Sequence, residues 1–448
     1  MVLGTDNRVL TLGLARMADA LGNSFLIIVL PLYIESGQIV LDGIVGSSVL
    51  GLELTVPFLV GLVLSLFGFL NSFGQPFTGR FSDRLGKRRV FVLFGLALFG
   101  VASAAYPFVH RYELVLLIRA LQGLGAAFTI PATIALVNEF AASDTERGGN
   151  FGVFNTFRLI GFGFGPIVAG LVVQAGPYTT PFGELTGFNA AFSVAVLGAV
   201  VSFALVSLLI EDPERDGAEA GDDLSFRVFD RDGSKLLDPV FVLGVCTLFM
   251  AITIALFATL QETIKTQLGE EEFLFSVQFA AVVIANVLFQ VPIGRASDEY
   301  GRRPFIVAGF VLLVPSVLLQ GYVPGIAAAV EGSAPAVLAG SVAPGLMLLF
   351  RLLQGIAVAL VFAPSLALAG DLAGKGQSGT TLSVLTTAFG LGVAIGPLAS
   401  GYLVRFGFAA PFTFGAGLAF LALLLVYSQV EDTITAGDAP GRAAAQDD

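Results

Sequence analysis

Charge is scarce in this chain. Of 448 residues only 13% are Asp, Glu, Lys or Arg and 55% are hydrophobic, whereas soluble domains are about a quarter charged. An ordinary water-soluble globule is thereby excluded. Tryptophan is absent, which leaves Tyr to mark any membrane interface. The single cysteine, Cys246, permits neither an internal disulfide nor a thiolate metal cluster, and the single histidine, His110, falls in a solvated loop. There is no zinc spacing and no G-x-S-x-G elbow. The stretch Gly370-Asp371-Leu372-Ala373-Gly374-Lys375-Gly376 has the wrong spacing for a phosphate loop and no hydroxyl after its lysine. Catalysis, ATP hydrolysis, a metal and a cofactor are therefore not expected, and without a basic surface neither is a nucleic-acid partner.

Long apolar runs fill the chain instead. Twelve read as membrane spans, roughly 9–34, 54–78, 89–108, 112–138, 151–174, 188–210, 239–261, 272–293, 304–323, 343–369, 379–404 and 409–429. Each is near the ~20 residues that cross ~30 Å of hydrocarbon. With the N-terminus inside, sixteen of the 23 basic residues fall in the tail and cytoplasmic loops. Four lie within spans (Arg16, Arg119, Arg158, Arg351) and three face outside (Arg111, Lys265, Arg405). The expected location is the plasma membrane, with lipid as a partner and both termini cytoplasmic. The first span is too long for a signal-peptide core and is expected to remain.

The net charge of −11 is concentrated at 211–238, with ten acids and four basic residues, and at 431–448, with five acids and one Arg. Both read as solvated segments without a core. Only four basic residues are Lys, and acid-rich, lysine-poor loops point to a high-salt cytoplasm.

The chain is internally duplicated. Gly79-Arg80-Phe81-Ser82-Asp83-Arg84-Leu85-Gly86-Lys87-Arg88-Arg89 follows the second span, and Gly294-Arg295-Ala296-Ser297-Asp298-Glu299-Tyr300-Gly301-Arg302-Arg303-Pro304 follows the eighth. Span four carries Arg119-Ala120-Leu121-Gln122-Gly123 and span ten Arg351-Leu352-Leu353-Gln354-Gly355. Span five carries Gly161-x-x-x-Gly165-Pro166-x-x-Ala169-Gly170 and span eleven Gly392-x-x-x-Gly396-Pro397-x-x-Ser400-Gly401. Three motif pairs in one order predict two pseudo-symmetric six-helix bundles: an N-terminal bundle over 1–210, an acidic linker over 211–238, a C-terminal bundle over 239–430 and an acidic tail over 431–448.

On these motifs the chain resembles the major facilitator superfamily over essentially its whole length. The span-five glycines, with Gly152 nine positions upstream of Gly161, resemble those of its twelve-span drug:proton antiporters. The resemblance implies an all-α integral membrane fold, alternating access, a small-molecule substrate, a proton gradient as energy source and a monomer. It also implies a conformational latch from Gly79, Asp83, Arg84, Gly86 and Arg88, with Asp83 facing the start of span eleven near Thr380 and Thr381. A second latch comes from Gly294, Asp298, Gly301 and Arg302, weakened by Glu299. The glycines present smooth faces for close helix packing, with Pro166 and Pro397 loosening their helices, and a close approach to span eight is expected.

Spans one, four, seven and ten line the cavity of that superfamily. On them Asp19 and Arg119 lie at comparable depth, and they are expected to face each other as the proton-coupling pair. Burial and a nearby guanidinium act in opposite senses on the carboxylate's proton affinity. A fixed ion pair between Asp19 and Arg16, one turn away, is the alternative. Arg351 and Gln354 are expected to hold a polar substrate group, and Phe25, Phe128, Phe257 and Phe362 to line an apolar cavity for hydrophobic or amphiphilic compounds. Arg158 reads as a snorkelling residue. Proton-coupled efflux leads. Proton- or sodium-coupled import of a metabolite, or a non-transporting sensor, remains open.

Overall fold

A computed structural model describes residues 6–49, 51–141, 144–181, 183–213, 229, 235–331, 340–372 and 378–432, with side chains for all of these except 144–148, 331 and 378–383. Most of the acidic linker and tail, and the stretch from Ala373 to Gly376, lie outside the described residues. Among those described, twelve helices are long and apolar enough to cross a membrane.

In the first half these are α1 (Asn7–Glu35), α2 (Val56–Leu85), α3 (Arg88–Ala104), α4 (Tyr112–Glu139), α5 (Asp144–Ala175) and α6 (Gly187–Leu209). Local chemistry sets several ends. The Asp6 carboxylate accepts from Arg8 N at 2.7 Å to start α1, and Thr55 and Thr186 cap α2 and α6 in the same way. α2 stops at Gly86, whose φ of 62° is a conformation side chains resist. Two short hairpins, β1 (Ser48–Val49) with β2 (Leu52–Glu53) and β3 (Tyr178–Thr180) with β4 (Gly183–Leu185), decorate the loops after α1 and α5.

The second half differs from the expected spans in two respects, a broken seventh span and an added short helix. Span seven is broken: α7 (Pro239–Ala255) gives way to a 3-10 turn (Leu256–Leu260) before α8 (Gln261–Leu268). The rest are α9 (Glu272–Tyr300), α10 (Arg302–Gln320), a short unanticipated α11 (Val323–Glu331), α12 (Val342–Leu372), α13 (Ser378–Leu403) and α14 (Ala410–Gln429). Proline sits inside α1, α2, α4, α5, α9, α10, α12 and α13. Within a bundle, neighbouring helices and hydroxyl side chains satisfy the backbone groups that proline frees.

The chain divides into two compact units, Met1–Asp222 with Glu271–Ala280, and Asp223–Glu270 with Ala281–Asp448. The first unit is cored where α1, α3, α4 and α6 meet, around Leu12, Val92, Leu96, Leu136 and Val206. The second is cored where α7, α10, α12 and α14 meet, around Leu243, Met250, Phe310, Val361 and Ala422.

One seam recurs in both units. A Cβ on Gly165 would fall 2.8 Å from Leu21 O, and one on Gly161 would lie 2.9 Å from the Met17 carbonyl carbon. A Cβ on Gly396 would fall 2.9 Å from Ile252 O, and one on Gly392 would meet Leu248 O at 2.5 Å. Glycine lets α5 lie against α1, and α13 against α7, at backbone contact distance. All four pairs are separated by 144 residues in sequence, and the second set is the first displaced by 231.

Candidate functional site

Nine residues separate Arg16 from the start of α1, and nine separate Arg158 from Gly149, where the fifth candidate span begins. At ~1.5 Å per residue both lie about 14 Å along parallel, tightly packed helices. Arg16 Nη1 donates to Asp19 Oδ2 one turn on, and both side chains are only 12% exposed. Arg158 lies within electrostatic reach of Arg16 and donates through Nε to Asn155 at 3.0 Å. Two guanidiniums and one carboxylate thus share one buried neighbourhood. Arg16 and Asp19 border a small crevice whose other walls are Leu12 and Ala15, Val92 and Leu96 of α3, Thr129 and Thr133 of α4, and Ser202 and Val206 of α6.

The expected pairing of Asp19 with Arg119 is not what the structure shows. Asp19 is held within its own helix, and Arg119 is engaged by neutral groups: Nε donates to Val63 O at 3.4 Å, Nη1 to Gln122 Oε1 at 3.1 Å, and the guanidinium lies over Phe67, 4.6 Å from the ring centroid. Gln122 is itself fixed by the end of α3 and the 3-10 turn after it, donating to Ser103 Oγ at 2.8 Å and accepting from Tyr106 at 3.0 Å. A backbone carbonyl, an amide and a ring face are enough to seat a buried guanidinium without a carboxylate.

The second unit repeats this device. Arg351 Nη1 donates to Gln354 Oε1 at 2.8 Å and its guanidinium lies 4.0 Å from the Phe257 centroid, while Gln354 donates to Thr253 O at 3.1 Å and accepts from Gln320 at 3.0 Å. The expected cavity aromatics are engaged in packing. Phe25 and Phe257 are fully buried and so closed to a substrate in this conformation. Phe128 packs between Phe91 and Phe94, and Phe362 against Phe389, at centroid distances from 4.9 to 5.8 Å.

The signature loops form charged clusters within each unit. Arg88 reaches Asp83 and Ser82 and donates through Nε to Glu139 Oε1 at 2.9 Å. Arg302 bonds Asp298 at 3.2 Å and reaches Asp371. Among the described residues Asp83 is therefore paired with the motif's own arginine. The side chains of Thr380 and Thr381 lie outside those described. Arg84 is exposed, a Cβ on Gly79 would lie 3.5 Å from Pro131, and Gly294 has open space around it. Glu139 and Asp371 were missed, although their displacement of 232 is that of Arg119 and Arg351.

The neighbouring arginines have a separate task. Arg89 N donates to Asp212 at 2.7 Å, and the backbone N–H groups of Arg302 and Arg303 donate to Asp432 at 3.2 and 3.1 Å. Acids just beyond α6 and α14 thus cap α3 and α10, neither of which has a side-chain cap of its own. Gly301, at φ 93°, leaves room for this contact: a Cβ there would fall 2.6 Å from Asp432 Oδ2.

Of the span-five glycines, Gly161 and Gly165 pack on α1 rather than on the eighth span. Gly170 alone meets α9, where a Cβ would lie 2.9 Å from Ser276 Cβ. Gly152 faces open space, so it is not part of the seam. In the second unit Gly401 is buried, and the carbonyl of Pro397 accepts from Thr259 at 3.0 Å and from Ser400 at 3.2 Å.

Twelve spans, internal duplication and buried charge seated inside helix bundles define a polytopic membrane transporter. The chain belongs to the Major Facilitator Superfamily, whose model matches residues 12–260 and 241–446. It is 24% identical over 311 residues to quinolone resistance protein NorA of Staphylococcus aureus (strain MRSA252), covering 67% of this chain and 71% of that one. It is 23% identical over 275 residues to multidrug resistance protein 2 of Bacillus subtilis (strain 168), covering 59% of this chain and 65% of that one. Similar solved structures include the human organic anion transporter MFSD10, with a TM-score of 0.61 at 20% identity over 94% of this chain and 98% of that one. Nucleoside transporter NupG gives 0.67 at 13% identity over 95% and 100%. Members of this superfamily are transporters and not enzymes, and need no cofactor. Lipid surrounds this multi-pass protein, and a small molecule is its substrate.

Proposed function

We propose that the chain is a proton-driven exporter of small hydrophobic or amphiphilic compounds, working as a monomer by alternating access in the plasma membrane with both termini cytoplasmic. The observation that carries this reading is Asp19, a carboxylate buried beside the α1–α5 seam and tied to Arg16 on the same helix. Protonation of Asp19 removes the partner of Arg16 and raises the local charge by one. The α1–α5 contact would then feel a change in proton occupancy directly. Arg119, seated on α4 by neutral groups, is assigned to the same proton path without contacting Asp19. Similarity to NorA and multidrug resistance protein 2 supports export of lipophilic compounds. Acid-rich, lysine-poor loops fit a saline habitat.

The test is accumulation of a fluorescent lipophilic cation in energised cells carrying wild type, Asp19→Asn or neither, with and without a proton uncoupler. Lower accumulation in wild type alone, erased by the uncoupler, is expected. Equal accumulation in all three, with expression confirmed, overturns the reading.

A second reading, proton-coupled import of an anionic metabolite, is favoured by one observation. Away from the span ends, four guanidiniums (Arg16, Arg119, Arg158, Arg351) stand against one carboxylate, Asp19. Protonating Asp19 strengthens anion binding, which makes proton and anion travel together. Uptake of a hydrophobic carboxylate driven by an inward proton gradient in proteoliposomes distinguishes this reading from export.

A further inference from the structure

The 231-residue displacement of the glycine seam carries along the chain from Met17 and Leu21, matched to Leu248 and Ile252, to Leu26 and Leu30, matched to Phe257 and Gln261. Leu30 lies in an unbroken α1 and is wholly buried. Gln261 is wholly buried too, but it opens α8 directly after the 3-10 turn at Leu256–Leu260, and neither its Oε1 nor its Nε2 has a hydrogen-bond partner. Leucine fills the matching position in the other half without leaving any polar atom unmet. An amide with both atoms unmatched is therefore no packing solution. A 3-10 stretch inside a long helix marks a place where a span hinges, and Gln261 stands on the outer side of this one, seven residues before the span ends at Leu268.

The surroundings are suited to recognition. Phe257 lies four residues before Gln261, within the 3-10 turn, and its ring carries the Arg351 guanidinium at 4.0 Å. Arg351 is positioned by Gln354, which is anchored to Thr253 of α7 and Gln320 of α10. Thr259 donates to Pro397 O at 3.0 Å, tying the 3-10 turn to the glycine-proline stretch of α13. Every one of these residues lies in the second unit.

We propose that Gln261 is a substrate-reading residue that accepts from and donates to a neutral amide-like edge, a primary or cis-secondary carboxamide, on an otherwise apolar compound. The paired donor and acceptor of the glutamine side chain are complementary to the paired acceptor and donor of such an edge. Gln261 meets this edge when the span opens at the 3-10 turn, which also carries Phe257 and Thr259. The inference rests on the transport reading in taking the seventh span to line the substrate path.

The test is equilibrium dialysis of the full chain in nanodiscs against naphthalene carboxamide and its N,N-dimethyl derivative, which keeps the acceptor and loses the donor. Wild type should hold the primary amide about tenfold more tightly. Gln261→Met and Gln261→Leu should close that gap without lowering the thermal unfolding temperature, because each removes unmet polar atoms from a buried site. Equal affinity for the two probes, no binding of either, or a gap that persists in the folded Met variant overturns the proposal. The last outcome would leave Gln261 holding a structural water only. Proton-dependent export of a lipophilic cation, measured on the same proteins, separates the two readings. Export with no amide discrimination discards the Gln261 site alone, and amide discrimination without export discards the exporter alone.

Discussion

Asp19 and Arg16 form an ion pair across a single turn of α1, buried inside the first unit. An intrahelical pair on a solvated helix contributes only a few tenths of a kcal/mol. Here the alternative to pairing is an uncompensated charge in a low-dielectric interior. Arg16→Gln should therefore lower stability by about 3 kcal/mol, and Arg16→Gln combined with Asp19→Asn should recover most of the loss. Thermal unfolding in detergent of the two single variants and the double variant checks this. A double variant as unstable as Arg16→Gln alone would show that the pair is not the reason.

The glycine seam predicts a sharp contrast along α5. Gly165→Leu drives a side chain into the backbone of α1 and should abolish folding or transport. Gly152→Ala, at a helical position facing open space, should leave folding intact and stabilise by up to about 1 kcal/mol. Expression and thermal stability of the two variants, compared side by side, decide the matter.

Arg88 joins α2, α3 and α4 through Asp83, Ser82 and Glu139. Glu139→Gln and Arg88→Gln should prove non-additive, with a coupling of about 1–3 kcal/mol in a double-mutant cycle of thermal stability. Arg88→Lys should not rescue, since an ammonium cannot reach two carboxylates in the fork geometry of a guanidinium.

The caps from Asp212 and Asp432 are a pair in role though not in surroundings. Removing either as Ala should cost about 1 kcal/mol. Hydrogen exchange should then rise at the first turn of α3 for Asp212→Ala and at the first turn of α10 for Asp432→Ala. Exchange unchanged at those turns would refute the assignment.

Much of this architecture was legible from residues alone, because apolar runs, proline-bearing spans and three repeated motifs each report a physical constraint that survives without coordinates. The Asp19–Arg16 pair was legible as an alternative, since i and i+3 on a helix are neighbours whatever the tertiary fold. The seat of Arg119 was not, because one acceptor is the backbone carbonyl of Val63, and a carbonyl carries no sequence signal. The 3-10 turn at Leu256–Leu260 was hidden for a related reason: it contains neither glycine nor proline and reads as uninterrupted apolar helix. Asp212 and Asp432 were read with the solvated acidic segments they begin, and only the folded chain shows that each is committed to a helix start. Gly152 matched a family pattern whose packing role it does not share.

The two halves also differ in where they keep surplus chain. Matched residues stand 231 apart at the start, from Met17 to Leu248, but only 215 apart at the signature loops, from Gly79 to Gly294. They stand 232 apart again at Arg119 and Arg351. The first half spends its extra residues on the β1–β2 hairpin between α1 and α2. The second spends a nearly equal number between α10 and α12, in the region of α11. Each half therefore displays the shorter connection that the other could adopt. A chain trimmed at both places to its twin's length would lose ornament and keep every seam, cap and arginine cluster, making the smaller transporter already written into this one.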